Sequence, residues 1–382
     1  GYHGQEKWPR QRGFDHFYGA IAGATSYFKP QGGRGVTLEN ENLDPPTDPN
    51  YYTTDAFMDY AIRFLDEQSD ERPFFLYLAF TAPHWPLHAR EEDIAKYVGK
   101  YRDIGWDKLR EQRLARQKEL GIVDQTVALP PRDEGARAWS ELSDKQKEQL
   151  DYRMAVYAAM VDRMDQNIGR VIDWLKRHDK LDNTLLLFLS DNGGCAEPYK
   201  DLGGGKFSDI NNPNISGAVS YGQSWANASN TPFRKFKVFS HEGGISTPLI
   251  AHWPAGLKTS PGSITATPAQ LIDLMPTILD VTGAEYPQTF RGYEIHPPEG
   301  VSLAPTLAGK ERRPAEWMYW EHAGHAAVRH GNYKALLPKR KKEWELYDLS
   351  KDRQELHNLA ETMPDQVSAM AEQWTKWATS HG

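Results

Sequence analysis

Apolar residues along this 382-residue chain fall into three kinds of pattern. In the first they recur every three or four positions, the spacing of one helix face. Tyr52–Gln68 carries Phe57, Tyr60, Ala61 and Phe64 in this way, with Thr53 or Thr54 placed to cap the helix. Ser143–His178 does so at greater length, from Leu150 through Met154, Tyr157, Met160, Val161, Met164, Ile168, Val171 and Ile172 to Leu175. Thr267–Thr282 predicts another helix despite Pro276. In the second pattern the apolar residues are continuous: Phe74–Phe80 between prolines, and Thr184–Ser190, each predict a strand buried on both faces, as in a parallel sheet. Thr247–Trp253 predicts a third strand. The third pattern is a series of short runs, Trp317–Trp320, Ala326–Arg329 and Tyr333–Leu337, with turns at Gly324 and Gly331–Asn332. These predict an antiparallel sheet, closed by a helix over Met363–Ala378.

The segments between these patterns differ in character. Gly1–Asn50, rich in Gly, Pro and polar residues with scattered aromatics, predicts a long ordered surface excursion. Glu91–Leu120 is charged and helical, a covering segment. Leu202–Asn230 lacks periodicity and reads as a loop, of a length that is usually functional. Around Pro287–Gly300 lies a linker, so the chain divides into an α/β portion, residues 1–300, and an α+β subdomain, residues 301–382. No internal repeat is visible. A helix, a short turn at Leu181–Asn183, a buried strand and then a Gly-rich loop is the signature of a doubly wound sheet, which binds ligands beyond the C-terminal ends of its strands. His84, after the first strand, and Asp191–Asn192, after the second, are therefore expected on one edge.

Composition narrows the classes. With 39% hydrophobic residues and a mean hydropathy of -0.69 the chain has the proportions of an ordinary soluble globular protein. A net charge of -7, from 45 Lys+Arg against 52 Asp+Glu without long like-charged blocks, gives no reason to expect nucleic acid or an anionic membrane as partner. The longest apolar runs fall far short of the ~20 residues of a membrane span. The single cysteine, Cys195, excludes an intrachain disulfide and a cysteine zinc cluster, and leaves the compartment open. Gly1 in place of Met, followed by no apolar signal core, predicts a fragment or processed piece whose natural N-terminus lies upstream.

Candidate chemistry is modest residue by residue. Asp191–Asn192 supplies two oxygen donors where a strand stops, which suits a hard cation such as Ca²⁺ or Mg²⁺, although an isolated Asp-Asn-Gly is ordinarily an Asx turn. His84 sits in a stiff Pro-flanked loop suited to general acid work, or simply packs there. Lys237, five residues before Glu242-Gly243-Gly244, belongs to a basic run that either holds an oxyanion or faces solvent. Gly203-Gly204-Gly205-Lys206 fails as a phosphate loop, because Phe207 replaces the Ser or Thr. Pro86 between His84 and His88 forbids the helix of a zinc protease. Asn214 and Asn227 match the glycosylation sequon, a pattern too common to count.

Taken together these segments resemble the sulfatase family of the alkaline phosphatase superfamily. The resemblance rests on Pro9–Gly19 (PRQRGFDHFYG), Thr81–Ala89 (TAPHWPLHA), Leu189–Gly194 (LSDNGG), Asn230–Pro254 (NTPFRKFKVFSHEGGISTPLIAHWP), Asp273–Thr277 (DLMPT), Trp320–Arg329 (WEHAGHAAVR) and Trp344–Leu359 (WELYDLSKDRQELHNL). It implies an alkaline-phosphatase-like, doubly wound mixed sheet flanked by helices, with a smaller C-terminal antiparallel-sheet subdomain. It implies Ca²⁺ held in part by Asp191 and Asn192, sulfate contacts from His84 and Lys237, a sulfated small molecule or glycan as substrate, and a periplasmic or secreted location. The chain also departs from the family. Sulfatases make a formylglycine nucleophile from Cys or Ser in a C-x-P-x-R motif, whereas Cys195 is followed by Ala196, Glu197 and Pro198 and no serine fits. The paired aspartates of the family's first strand and the Lys and His of its G-K-W-H-L-G segment are absent too, with Gly1 falling where that segment's last glycine belongs. The resemblance thus implies a chain that lacks the family's N-terminal portion and is inactive by itself. A phosphodiesterase or phosphonate monoester hydrolase of the same superfamily, and a non-catalytic sulfate- or glycan-binding module, are the alternatives.

Overall fold

A computed structural model describes residues 4–68 and 72–381; Gly1 lies outside them. The chain forms two compact units, one of residues 1–110, 132–179 and 195–228, the other of residues 111–131, 180–194 and 229–382.

In the first unit the helix Thr53–Glu67 packs along the long helix Asp144–Arg177. The long helix starts where Ser143 accepts the Gln146 N–H while Gln146 Oε1 accepts from the Ser143 N–H, a reciprocal cap that fixes its first turn. The shorter helix has no side-chain cap. Tyr52 occupies the capping position, and the Thr53 hydroxyl, expected to cap, instead donates to the carbonyls of Ser26 and Tyr27, tying the helix to the N-terminal excursion. Asp55 joins the two helices by accepting from Arg163 Nε at 2.7 Å and Nη2 at 2.8 Å and from Asn167 Nδ2 at 2.8 Å.

The segment 202–230 is not merely a loop. Its Gly-rich start is held by buried Arg153, whose guanidinium donates to the carbonyls of Gly204 and Ser220 at 2.7 Å and of Gly205 at 3.1 Å. Its end folds into the helix Gln223–Ser229, which buries Trp225 against the rings of Trp106 and Trp139. Non-periodic sequence hid this helix because all of its central residues are buried, leaving no polar face to alternate with. Asn227 of the second sequon is buried in it, out of reach of a glycan.

Phe74–Phe80 is extended but makes no ladder among the described residues, and alternate side chains face solvent, Tyr77 at 71% exposure. Continuous hydrophobicity announces a strand; it does not provide the neighbour that makes one.

The second unit holds a pair of strands, Leu186–Leu189 and Leu249–His252, hydrogen-bonded antiparallel with Leu186 opposite His252 and Leu189 opposite Leu249. Both expected strands exist, but antiparallel and partly exposed, Ile250 at 58%. Farther along, Trp317–His322, His325–His330, Tyr333–Leu337 and Glu345–Asp348 form a four-stranded antiparallel meander in sequential order. The first hairpin turns at Ala323 and Gly324, both with positive φ (53° and 86°), the backbone hand that matches strand twist. On one face Val328, Ala335 and Leu346 pack against Met370 of the helix Pro364–His381; the other face gathers Ala327, Leu336 and Tyr347. The Asp273 of DLMPT is scaffold: it pairs with buried Arg312 at 2.7 Å and accepts the Val301 N–H.

Candidate active site

Asp191 and Asn192 follow the strand Leu186–Leu189 directly. Ser190 Oγ donates to the Asn192 carbonyl at 2.8 Å, and Asn192 Nδ2 donates to the Gly193 carbonyl at 2.8 Å, so the turn closes on itself. It is then clamped to the 230–246 segment by backbone bonds. Gly193 N donates to Gly244 O at 3.0 Å, Lys237 N to Gly194 O at 3.1 Å, and Gly194 N to Asn230 Oδ1 at 2.8 Å. Two segments of the chain cross here at a distance only glycine permits. A Cβ on Gly193 would lie 1.8 Å from Gly243 O, one on Gly243 2.1 Å from Arg234 O, and one on Gly244 2.0 Å from Phe239 O. The Gly pairs after Asp191–Asn192 and after Glu242 are therefore one feature, and it brings the Asp191–Asn192 turn and the Lys237 backbone together.

Asp191 is exposed, and its carboxylate meets no cation among the described residues. Two oxygen-bearing side chains at a rigid strand end suit a hard cation, as a partial donor set for the 6–8 oxygens calcium takes. Lys237 is half-buried in the basic run.

Beneath this crossing lies a buried charge network that sequence reasoning did not find. Lys334, on the meander face away from the helix Pro364–His381, is fully buried, with Nζ 3.0 Å from Glu242 Oε1 and 2.8 Å from Glu355 Oε1. Arg353 reaches Glu242 Oε2 at 2.8 Å, and Glu355 Oε2 accepts the Glu242 N–H at 2.9 Å. Burial pushes the Glu242 carboxyl up, but Lys334 and Arg353 together outweigh it and hold it at about 2. Glu355, buried and beside the charged Glu242, is pushed up to about 7 despite Lys334. The partners lie 92 and 113 positions apart in the chain; only the alternation of Lys334 with apolar neighbours hinted at its burial.

His84 belongs to the first unit. Its backbone carbonyl accepts from Tyr27 OH at 3.0 Å, and its Nδ1 lies 2.8 Å from the Trp85 carbonyl oxygen. A carbonyl only accepts, so Nδ1 carries the proton, and Nε2 is the nitrogen left to take up or release one. His88 is fully buried, and desolvation lowers its imidazole to about 4, which keeps it neutral and structural. No helix among the described residues is long and apolar enough to cross a membrane.

Comparison with known proteins places the chain in a family. A sulfatase family model matches residues 1–284, and a model for the C-terminal region of N-sulphoglucosamine sulphohydrolase matches residues 233–378. An uncharacterized sulfatase of Schizosaccharomyces pombe is 35% identical over 99% of this chain and 72% of its own length. An arylsulfatase of Klebsiella aerogenes is 33% identical over 80% of this chain and 68% of its own. The crystal structure of Ps i-CgsB, solved also in complex with k-i-k-neocarrahexaose, superposes with a TM-score of 0.66 at 22% identity, covering 98% of this chain and 68% of that one. The fold is thus alkaline-phosphatase-like, with the four-stranded antiparallel sheet at its C-terminal end, and the chain belongs to the sulfatase family of the alkaline phosphatase superfamily.

Proposed function

We propose that the protein hydrolyses sulfate esters, as the calcium-dependent and larger part of a sulfatase whose formylglycine nucleophile lies outside these 382 residues. The observation that carries this reading is the glycine crossing, which fixes Asp191 and Asn192 at a strand end and ties them to the Lys237 backbone. Asp191 is exposed and has no cation partner among the described residues, so its carboxylate is open to a metal ion. Asp191 and Asn192 Oδ1 would hold the calcium ion, which when bound supplies positive charge for the sulfate oxygens. Lys237 adds a fixed positive charge for the same oxygens. His84, oriented by its Nδ1–H bond to Trp85, returns a proton through Nε2 to the departing oxygen. The glycan complex of the structural neighbour favours a sulfated small molecule or sulfated glycan as substrate, and family membership favours a periplasmic or secreted location.

The test uses the intact gene product with its upstream segment, assayed on nitrophenyl sulfate, nitrophenyl phosphate and an alkyl or sugar sulfate. Sulfate preference supports the reading; a phosphate or phosphonate preference replaces it. His84→Ala should slow the alkyl or sugar sulfate far more than nitrophenyl sulfate, whose phenolate leaves with little protonation. Equal losses would move His84 from leaving-group assistance to sulfate binding.

A further inference from the structure

The sequence leaves Cys195 without a task, since it lacks the motif of a formylglycine precursor. The first unit gives it company. One imidazole nitrogen of His84, Sγ of Cys195 and one carboxylate oxygen of Glu197 all lie within 4.8 Å of one another, and all three residues are half-buried. The Cys195 thiol donates to Glu197 Oε2 at 3.2 Å. Because Nδ1 of His84 gives its proton to the Trp85 carbonyl, Nε2 of the neutral ring carries the lone pair.

An imidazole nitrogen, a sulfur and a carboxylate oxygen are the mixed donors of zinc-class metals, whereas calcium takes oxygen alone. Tetrahedral zinc bonds of about 2.0–2.3 Å set donors about 3.3–3.8 Å apart; Cys195 Sγ and Glu197 Oε2 are already that close at 3.2 Å, and no pair has to close by more than about 1.5 Å, within the reach of side-chain rotation. Partial exposure of all three gives an ion a way in.

We propose that His84, Cys195 and Glu197 form a three-ligand site for a divalent transition-metal ion of the zinc class, with water in the fourth position. On binding, the thiol proton passes to solvent and Cys195 ligates as thiolate; the carboxylate that accepted the S–H turns to the metal, and nothing is oxidised or reduced. In the reading above, Nε2 of His84 also serves the leaving oxygen, so an ion held here is an inhibitor. Binding itself does not depend on that reading.

The experiment uses the 382-residue chain with calcium in excess. Cobalt(II) should give a near-ultraviolet thiolate-to-metal charge-transfer band, unaffected by calcium. Because Cys195 is the single cysteine, alkylation reports on this site alone. Zinc at ten times its dissociation constant should slow that alkylation about tenfold, since only the unoccupied fraction reacts. Glu197→Gln and His84→Ala should each weaken zinc by at least the 10–100-fold that loss of an outer-shell partner costs. No band, or unprotected alkylation in the unaltered chain, overturns the site without reference to any variant. Unchanged zinc affinity in both variants, with native circular dichroism, overturns the assignment of its ligands. Neither outcome bears on sulfate hydrolysis.

Discussion

Two places in the second unit gather carboxylates, and they treat them in opposite ways. Glu242 and Glu355 are sunk beneath the glycine crossing, each within 3.0 Å of the Lys334 ammonium, with Arg353 beside Glu242. Asp191, just past the strand Leu186–Leu189, stands exposed on the same backbone frame, with no cation partner among the described residues. Charges taken out of water need partners, so the buried pair is explained once Lys334 and Arg353 are counted. Asp191 meets no such need. The difference separates the residues that build the crossing from those the crossing displays, and it assigns Glu242, which sequence places nearest the Gly pair, to the builders.

Breaking the network should produce the largest loss of stability. Lys334→Met leaves two buried carboxyl groups without their shared cation and should cost about 3–5 kcal/mol in denaturant unfolding. A loss below about 1 kcal/mol would mean that water reaches the pair, and that the contrast with Asp191 is one of degree.

Gly193→Ala attacks the crossing without touching a charge. Its Cβ would fall 1.8 Å from Gly243 O, so the two segments must separate. A cost of about 1–3 kcal/mol is expected, together with weaker calcium binding in calorimetry, because Asp191 and Asn192 lose their frame. A neutral substitution would show that the clamp does not position the turn.

The pH dependence sharpens the same contrast. Glu355 is raised to about 7 in the folded protein against about 4.3 in an unfolded chain, so the native state binds the extra proton between these values. The stability from this group is complete below about pH 4.3 and is lost as pH rises through 7. Unfolding measured across that window should therefore show the unaltered protein falling relative to Glu355→Gln. Parallel curves would place the proton elsewhere in the network.

Legibility in the sequence followed the range of the interaction. The long helix announces itself through its periodicity and the Ser143–Gln146 cap, both local. Three strands of the meander were visible as short apolar runs; the fourth, Glu345–Asp348, is bounded by acidic residues and was not. Whether Leu186–Leu189 and Leu249–His252 run parallel or antiparallel is decided by what lies between them, which composition does not encode. The site shows the same division. Asp191, Asn192, Lys237 and His84 were each a weak candidate alone and became one set only because whole motifs resemble a family. The grouping of Cys195 with His84 and the pairing of Glu242 with Lys334 cross a hundred residues or so and leave no local trace.

The smallest expected effect on stability is also the most telling. Asp191→Ala removes an exposed, unpaired carboxylate and should leave unfolding free energy within about 0.5 kcal/mol of the unaltered protein. In the intact enzyme the same substitution should lower kcat/KM for nitrophenyl sulfate about 10²–10³-fold, the scale set by removing one electrostatic donor from a reacting site. Paired measurement of thermal midpoint and kcat/KM on that one variant tests the account. A held midpoint with a collapsed rate is the predicted result; full activity, or a rate that falls only as far as the protein unfolds, would contradict it.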